Sequence, residues 1–176
     1  ELNSLLSNFH SMSANFTQKT FTKNDAAKAS NGNMALQRPG KFRWEIFQPN
    51  HQIIIADGQY LWVYDIELEQ AIRKNLNQDA NSPAILLSGS TSAIADRFVI
   101  QNLDQQGNSK IFHLMPKVNQ DMFQRVDIQF QNGKLSQMAV IDNLGQKNVF
   151  YFSNVVTNPS LNASLFRFQP QSKVDV

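Results

Sequence analysis

From Ala14 onward the apolar residues of this chain recur at every second position, and turn signals cut the alternation into short pieces. A period of two marks strands with one buried face. Ala14–Phe21, Asn33–Arg38, Lys41–Phe47, Gln52–Ala56, Tyr60–Tyr64 and Gln70–Lys74 read as strands. After a break come Phe98–Leu103, Ile111–Met115, Arg125–Phe130, Leu135–Ile141 and Asn148–Val155, with a short final strand at Phe166–Phe168. The turn signals are Asn31-Gly32, Pro39-Gly40, Asp57-Gly58, Gly107-Asn108, Asn132-Gly133 and Leu144-Gly145. Short loops join antiparallel neighbours. About eleven strands in meander order therefore predict a mainly β fold: one large, strongly curved antiparallel sheet.

Two stretches depart from the period of two. Leu2, Leu5, Leu6, Phe9 and Met12 lie at i, i+3, i+4, i+7 and i+10, one apolar stripe on a helix of about three turns. Between Asn77 and Arg97, Ser82 can cap a helix with Pro83 at its first position. Ala84-Ile85-Leu86-Leu87 is then an apolar turn that Gly89 ends, and Ser92–Arg97 suits a second short helix. A barrel of about eight strands is filled by its own side chains or holds one small ligand. Ten or eleven strands enclose more volume or stay open, and these helical pieces are the cover available within the chain. The expectation is an incomplete barrel with a lid of short helices over an apolar cavity, in a single domain spanning 1–176. The N-terminal stripe equally suits a helix packed on a core, and the pattern does not separate the two.

Arg38 stands out against this background. Met34, Leu36 and Arg38 alternate, so the guanidinium shares a face with the apolar pair. An unpaired buried charge is costly, which makes Arg38 either a structural anchor or a latch. Pro39-Gly40 breaks the strand, and Phe42 and Trp44 rebuild the apolar face in the next one. Met34, Leu36, Phe42, Trp44, Ile46, Ile53, Ile55, Leu61 and Val63 are placed together on one side of consecutive strands.

Composition narrows the function. The 176 residues are 41% hydrophobic and include thirteen Phe, a residue with no polar handle. Sixteen Lys and Arg against fourteen Asp and Glu leave a net charge of +2, and Arg73-Lys74 is the only adjacent basic pair. No basic stripe is present, which argues against nucleic acid and leaves a weak pull toward anionic membrane surfaces. Absence of Cys excludes disulfides and thiolate chemistry. His10, His51 and His113 share no ligand spacing, so no metal site is expected. No nucleophile elbow or nucleotide-binding glycine motif occurs; Ser88-Gly89-Ser90 reads as a helix-ending loop. Asp65, Glu67 and Glu69 read as a solvated loop. The longest apolar runs, such as Ile53–Ala56, cannot span a bilayer. Binding rather than catalysis is expected, with no cofactor. The first residue is Glu1 within a helix-like pattern, which fits either a mature exported chain whose signal peptide has been removed or a trimmed piece of a longer chain.

Several local motifs, in order, resemble the LolA family of periplasmic carriers for outer-membrane lipoproteins. They are Ser13-Ala14-Asn15-Phe16-Thr17-Gln18 after the amphipathic stripe, Arg38-Pro39 followed by Phe42-Arg43-Trp44, and Asp57-Gly58-x-x-Leu61-Trp62-x-Tyr64. Ser82-Pro83-Ala84-Ile85-Leu86-Leu87, Leu114-x-Pro116-Lys117 and Phe166-Arg167-Phe168-Gln169-Pro170 leading to Val174-Asp175-Val176 complete the set. The resemblance implies an incomplete barrel whose interior takes the acyl chains of lipoproteins. Phe16 and the apolar wall listed above would line that cavity. Leu5, Leu6, Phe9, Ile85, Leu86 and Leu87 would form the lid, and Arg38 would latch it through hydrogen bonds. Phe42 would matter for cargo transfer. The implied partners are lipid-modified proteins, an inner-membrane ABC transporter that loads the carrier and an outer-membrane receptor that unloads it, with the carrier a monomer in the periplasm. Some members carry a longer C-terminal extension with an added strand, whereas this sequence ends at Val176. A lipid- or lipoprotein-sensing receptor domain of the same fold is the alternative.

Overall fold

A computed structural model describes residues 4–5, 9–23, 28–75, 87, 98–117 and 123–168. Eleven strands form one open antiparallel sheet: β1 (Ser11–Phe21), β2 (Lys28–Gln37), β3 (Lys41–Gln48), β4 (Gln52–Asp57), β5 (Tyr60–Asp65), β6 (Gln70–Asn75), β7 (Phe98–Gln106), β8 (Ser109–Pro116), β9 (Phe123–Gln131), β10 (Lys134–Asp142) and β11 (Lys147–Thr157). The order across the sheet is β6-β5-β4-β3-β2-β1-β11-β10-β9-β8-β7. The expected single meander is thus two meanders of opposite direction, joined where β1 pairs with β11. β6 and β7, adjacent in sequence, are the two outer edges.

Sheet curvature follows from ring contacts. Trp44 on β3 and Phe150 and Phe152 on β11 are separated by three strand spacings, about 14 Å along a flat sheet. Their ring centroids lie 5.5 and 6.3 Å apart, so the sheet curls until its inward side chains converge. Phe16 stacks obliquely on Trp44 at 4.4 Å, and Phe112 meets Phe130 edge to face at 6.0 Å. One continuous core results. Met12, Phe16, Met34, Leu36, Phe42, Trp44 and Leu61 from the first meander join Phe112, Leu114, Ile128, Phe130, Met138 and Phe152 from the second.

Four sequence expectations are corrected. Asn31-Gly32 is not a turn but the site of a register shift inside β2. Glycine is required because a Cβ there would sit 1.8 Å from the Glu45 carbonyl oxygen of β3. Met12 and Ser11 lie in β1 rather than at the end of a helix, and Phe9 already has non-helical backbone. Phe166–Phe168 is not a strand: a short 3-10 helix covers Ala163–Phe166, capped by the Asn162 side chain accepting from the Ser164 amide at 3.0 Å. The fourth correction concerns Ile53 and Ile55. They pair with Glu45 and Arg43, whereas Trp44 pairs with Ile54. Cross-strand partners share a face, so Ile54 lines the core and Ile53 and Ile55 face outward. A run of three isoleucines has no internal alternation, which is why the sequence could not set its parity.

The outward face near β3–β5 carries a second, smaller cluster. Phe168 stacks on Trp62 at 4.8 Å and lies 5.5 Å from Tyr64, while Phe166 is buried. The chain reaches this face after Asn158, whose amide donates to the Ser11 carbonyl at 2.7 Å and whose side-chain oxygen accepts from the His10 amide, also at 2.7 Å. Of the two expected helices, Ser4, Leu5 and Leu87 have helical backbone. Leu6, Ile85, Leu86 and the proposed helix at 92–97 lie outside the described residues.

Candidate functional site

The site begins with the β2–β3 corner. Met34 pairs with Trp44 and Leu36 with Phe42, so all four share the inner face. Two residues beyond Leu36 the same parity brings Arg38 to the rim. Its Nη1 donates to the Phe9 carbonyl at 3.0 Å and its Nε to the Leu87 carbonyl at 3.1 Å. Its guanidinium carbon lies 4.2 Å from the centroid of the Phe9 ring, a cation–π arrangement. The Arg38 amide donates to the His10 carbonyl at 2.8 Å. Burial lowers the guanidinium pKa from its ordinary value, yet an arginine remains charged. Arg38 therefore joins the sheet rim to one residue from each of the two stretches that the sequence set aside as helical.

The inner face holds most of the residues expected there. Phe16, Met34, Leu36, Phe42, Trp44 and Leu61 belong to the buried core; Ile46 and Ile54 pack against it, and Val63 shares the face by pairing with Ile54. Ile53 and Ile55 are absent from it. Leu5 packs on the core, and Phe9 and Leu87 are buried within it. Sequence reasoning missed the second meander's contribution, chiefly Phe112, Phe130, Phe150 and Phe152. The same period-two alternation was present there, but the pairing of β1 with β11 that folds this half over the first is a long-range choice.

Asp57 explains one of the quoted motifs. Its Oδ1 accepts from the amides of Gln59 at 2.9 Å and Tyr60 at 2.7 Å, and its Oδ2 from the Trp62 indole at 3.2 Å. Burial raises its pKa, but these hydrogen bonds outweigh it and hold the carboxyl below its ordinary value. The motif is thus a β4–β5 turn clamp that also orients Trp62 on the outer face.

A polar constellation unseen in the sequence sits outside on β7–β9. His113 Nδ1 lies 2.6 Å from Asp127 and Nε2 2.8 Å from Asp104, and Arg125 Nε lies 3.1 Å from the same Asp127 oxygen. Burial lowers the His113 pKa, but the two carboxylates outweigh it and raise the value above 6.5. A carboxylate on each ring nitrogen favours the protonated ring, in which both nitrogens donate. Gln101, Asn102, His113 and Arg125 line a cleft of about 440 Å³ there. It lies across the sheet from the apolar core, and its lining among the described residues is amide, imidazole and guanidinium.

These features define a class: a single open sheet, curled around an apolar inner face, with an arginine tying the rim to overlying segments. The family model described as outer membrane lipoprotein carrier protein LolA matches residues 7–169. An outer-membrane lipoprotein carrier protein of Coxiella burnetii is 38% identical over all of this chain and 84% of its own length. A namesake from Legionella pneumophila is 38% identical over 99% of this chain and 87% of its own. The crystal structure of a LolA superfamily protein from Nitrosomonas europaea superposes with a TM-score of 0.53, at 15% identity, over 95% of this chain and 97% of that one. The chain belongs to the LolA family of outer-membrane lipoprotein carrier proteins.

Proposed function

We propose that this chain carries lipoproteins by shielding their acyl chains against its inner face, under a lid formed by its N-terminal and central segments. Membership of a periplasmic carrier family makes it a transport protein rather than an enzyme. Each CH₂ removed from water contributes roughly 0.8 kcal/mol, so a long acyl chain gains on the order of 10 kcal/mol gross. Such a cargo does not cross an aqueous compartment unaided, and it must also be let go. The observation that carries this reading is Arg38, which donates to the carbonyls of Phe9 and Leu87 above the apolar face. A closed state favoured by a few kcal/mol gives way when acyl chains offset the lost contacts. Phe42, beneath the same corner, then meets the incoming chain. Loading by an inner-membrane ABC transporter and unloading to an outer-membrane receptor complete the route.

The test is complex formation in detergent-free buffer. A purified triacylated lipoprotein should elute with this chain on size exclusion, and the same protein lacking its acyl groups should not. Equal binding of both forms would remove the acyl-shielding role.

A further inference from the structure

The end of the sheet opposite Arg38 carries an apolar tip that neither the core nor the cargo reading uses. Leu144 stands at the β10–β11 turn and is 88% exposed. The turn that presents it is tightly tied. Asp142 Oδ1 accepts from the Leu144 and Gln146 amides, each at 2.9 Å. The Asp142 amide donates to the Gln146 carbonyl at 3.0 Å, and the Gly145 amide to the Asp142 carbonyl at 3.2 Å. Gly145 sits at φ +84, a conformation that side chains rarely adopt. The leucine is therefore held outward by its turn.

Its surroundings suit one kind of surface. Phe21, 39% exposed, pairs with Lys147 at the adjoining ends of β1 and β11, and Tyr151, 38% exposed, lies further along β11. Lys19 reaches over the Tyr151 ring, its Nζ 5.7 Å from the centroid. The Lys23 stem runs beside the turn, since a Cβ built on Gly145 would come within 3.3 Å of its Cε. The carboxylate of Asp142 is engaged by the turn amides. Leu and Phe framed by lysines, with Tyr151 further back on the same face as Phe21 and Lys147, is the composition of a bilayer interface, where aromatic rings sit at headgroup level and lysines meet anionic lipid. Strand addition is closed here, because β1, β10 and β11 are paired on both sides. A protruding tip also buries too little area to hold a protein partner stably, whereas a bilayer accepts a single point of entry.

We propose that the Leu144 end of the molecule, with Phe21, Lys19, Lys23 and Lys147, touches the surface of an anionic phospholipid bilayer. The contact is peripheral and reversible, and it goes beyond the carrier reading.

The experiment is sedimentation of the cargo-free chain with vesicles of phosphatidylglycerol and phosphatidylethanolamine, against pure phosphatidylcholine. Binding to the anionic vesicles alone, reversed by high salt, is expected. Leu144→Ser should lower that binding about tenfold, the loss of one inserted leucine, and Lys23→Glu with Lys147→Glu should abolish it. Circular dichroism should be unchanged in all variants. The proposal is overturned if the native chain stays in the supernatant when anionic vesicles are sedimented, if neutral vesicles bind it equally, or if Leu144→Ser binds like the native chain. Since no lipoprotein is present, failure here leaves the carrier reading standing.

Discussion

Arg38 shows how one side chain can both pose a physical constraint and carry a proposed function. Its position on the apolar face was legible from the alternation of Met34, Leu36 and Arg38. The physical rule that a buried charge must be partnered set the question, and the structure supplies two carbonyl partners, Phe9 and Leu87. Those partners were not legible as individual atoms, because they come from segments 29 and 49 residues away. Hydrogen bonds from a charged donor contribute about 1.5 to 3 kcal/mol each. Arg38→Leu removes both and leaves two carbonyls unserved. Loss of one such bond already shifts a closed–open equilibrium by an order of magnitude. The expected outcome is a carrier that holds its lipoprotein but hands it to an acceptor at least tenfold more slowly. Arg38→Lys, which keeps the charge but not the fork, should fall between. Transfer at the native rate in Arg38→Leu would show the residue to be an anchor only.

At the scale of elements, the outer-face cluster on β7, β8 and β9 makes a distinct case. His113 pins the edge strand β7 to β9 through Asp104 and Asp127, with Arg125 as the remaining charged group on that cluster. A histidine whose folded pKa is raised contributes stability that is full below the unfolded value of about 6.5. That contribution is lost as pH rises through the folded value. Amide hydrogen exchange in β7 should therefore be slower at pH 6 than at pH 9 beyond the intrinsic base-catalysed change, and His113→Gln should remove the difference. Identical pH dependence in the variant would exclude the pin. Nothing in the sequence announced this cluster, since Asp104, His113 and Asp127 come together only through register. By contrast eleven strands were legible in number and rough place, because Asp57-Gly58, Asn132-Gly133 and Leu144-Gly145 mark true turns, although β1, β2 and β7 each extend three to five residues past the expected end. Asn31-Gly32 carried the same letters for another reason, the close approach of the Glu45 carbonyl. Turn chemistry and close packing both select glycine, and sequence alone does not distinguish them.

For the whole molecule, the decisive fact is a sheet with two unlike faces. The inner one gathers aromatic side chains from both meanders around Trp44, and the outer one carries ion clusters, the C-terminal segment on Trp62, and the Leu144 tip. Sequence pattern conveyed that one face is apolar. It did not convey that β1 and β11 would join the halves, since any edge of either meander has the same hydrogen-bonding groups to offer. The two tryptophans report on the two faces separately: Trp44 is buried among Phe16, Phe150 and Phe152, and Trp62 stacks under Phe168 outside. A lipoprotein bearing brominated acyl chains quenches only a tryptophan that it touches. Loaded on the Trp62→Phe variant, which keeps Trp44, it should quench fluorescence strongly; loaded on Trp44→Phe, which keeps Trp62, it should leave fluorescence near its unloaded level. Quenching of Trp62 with Trp44 unaffected would place the acyl chains on the wrong face and contradict the account.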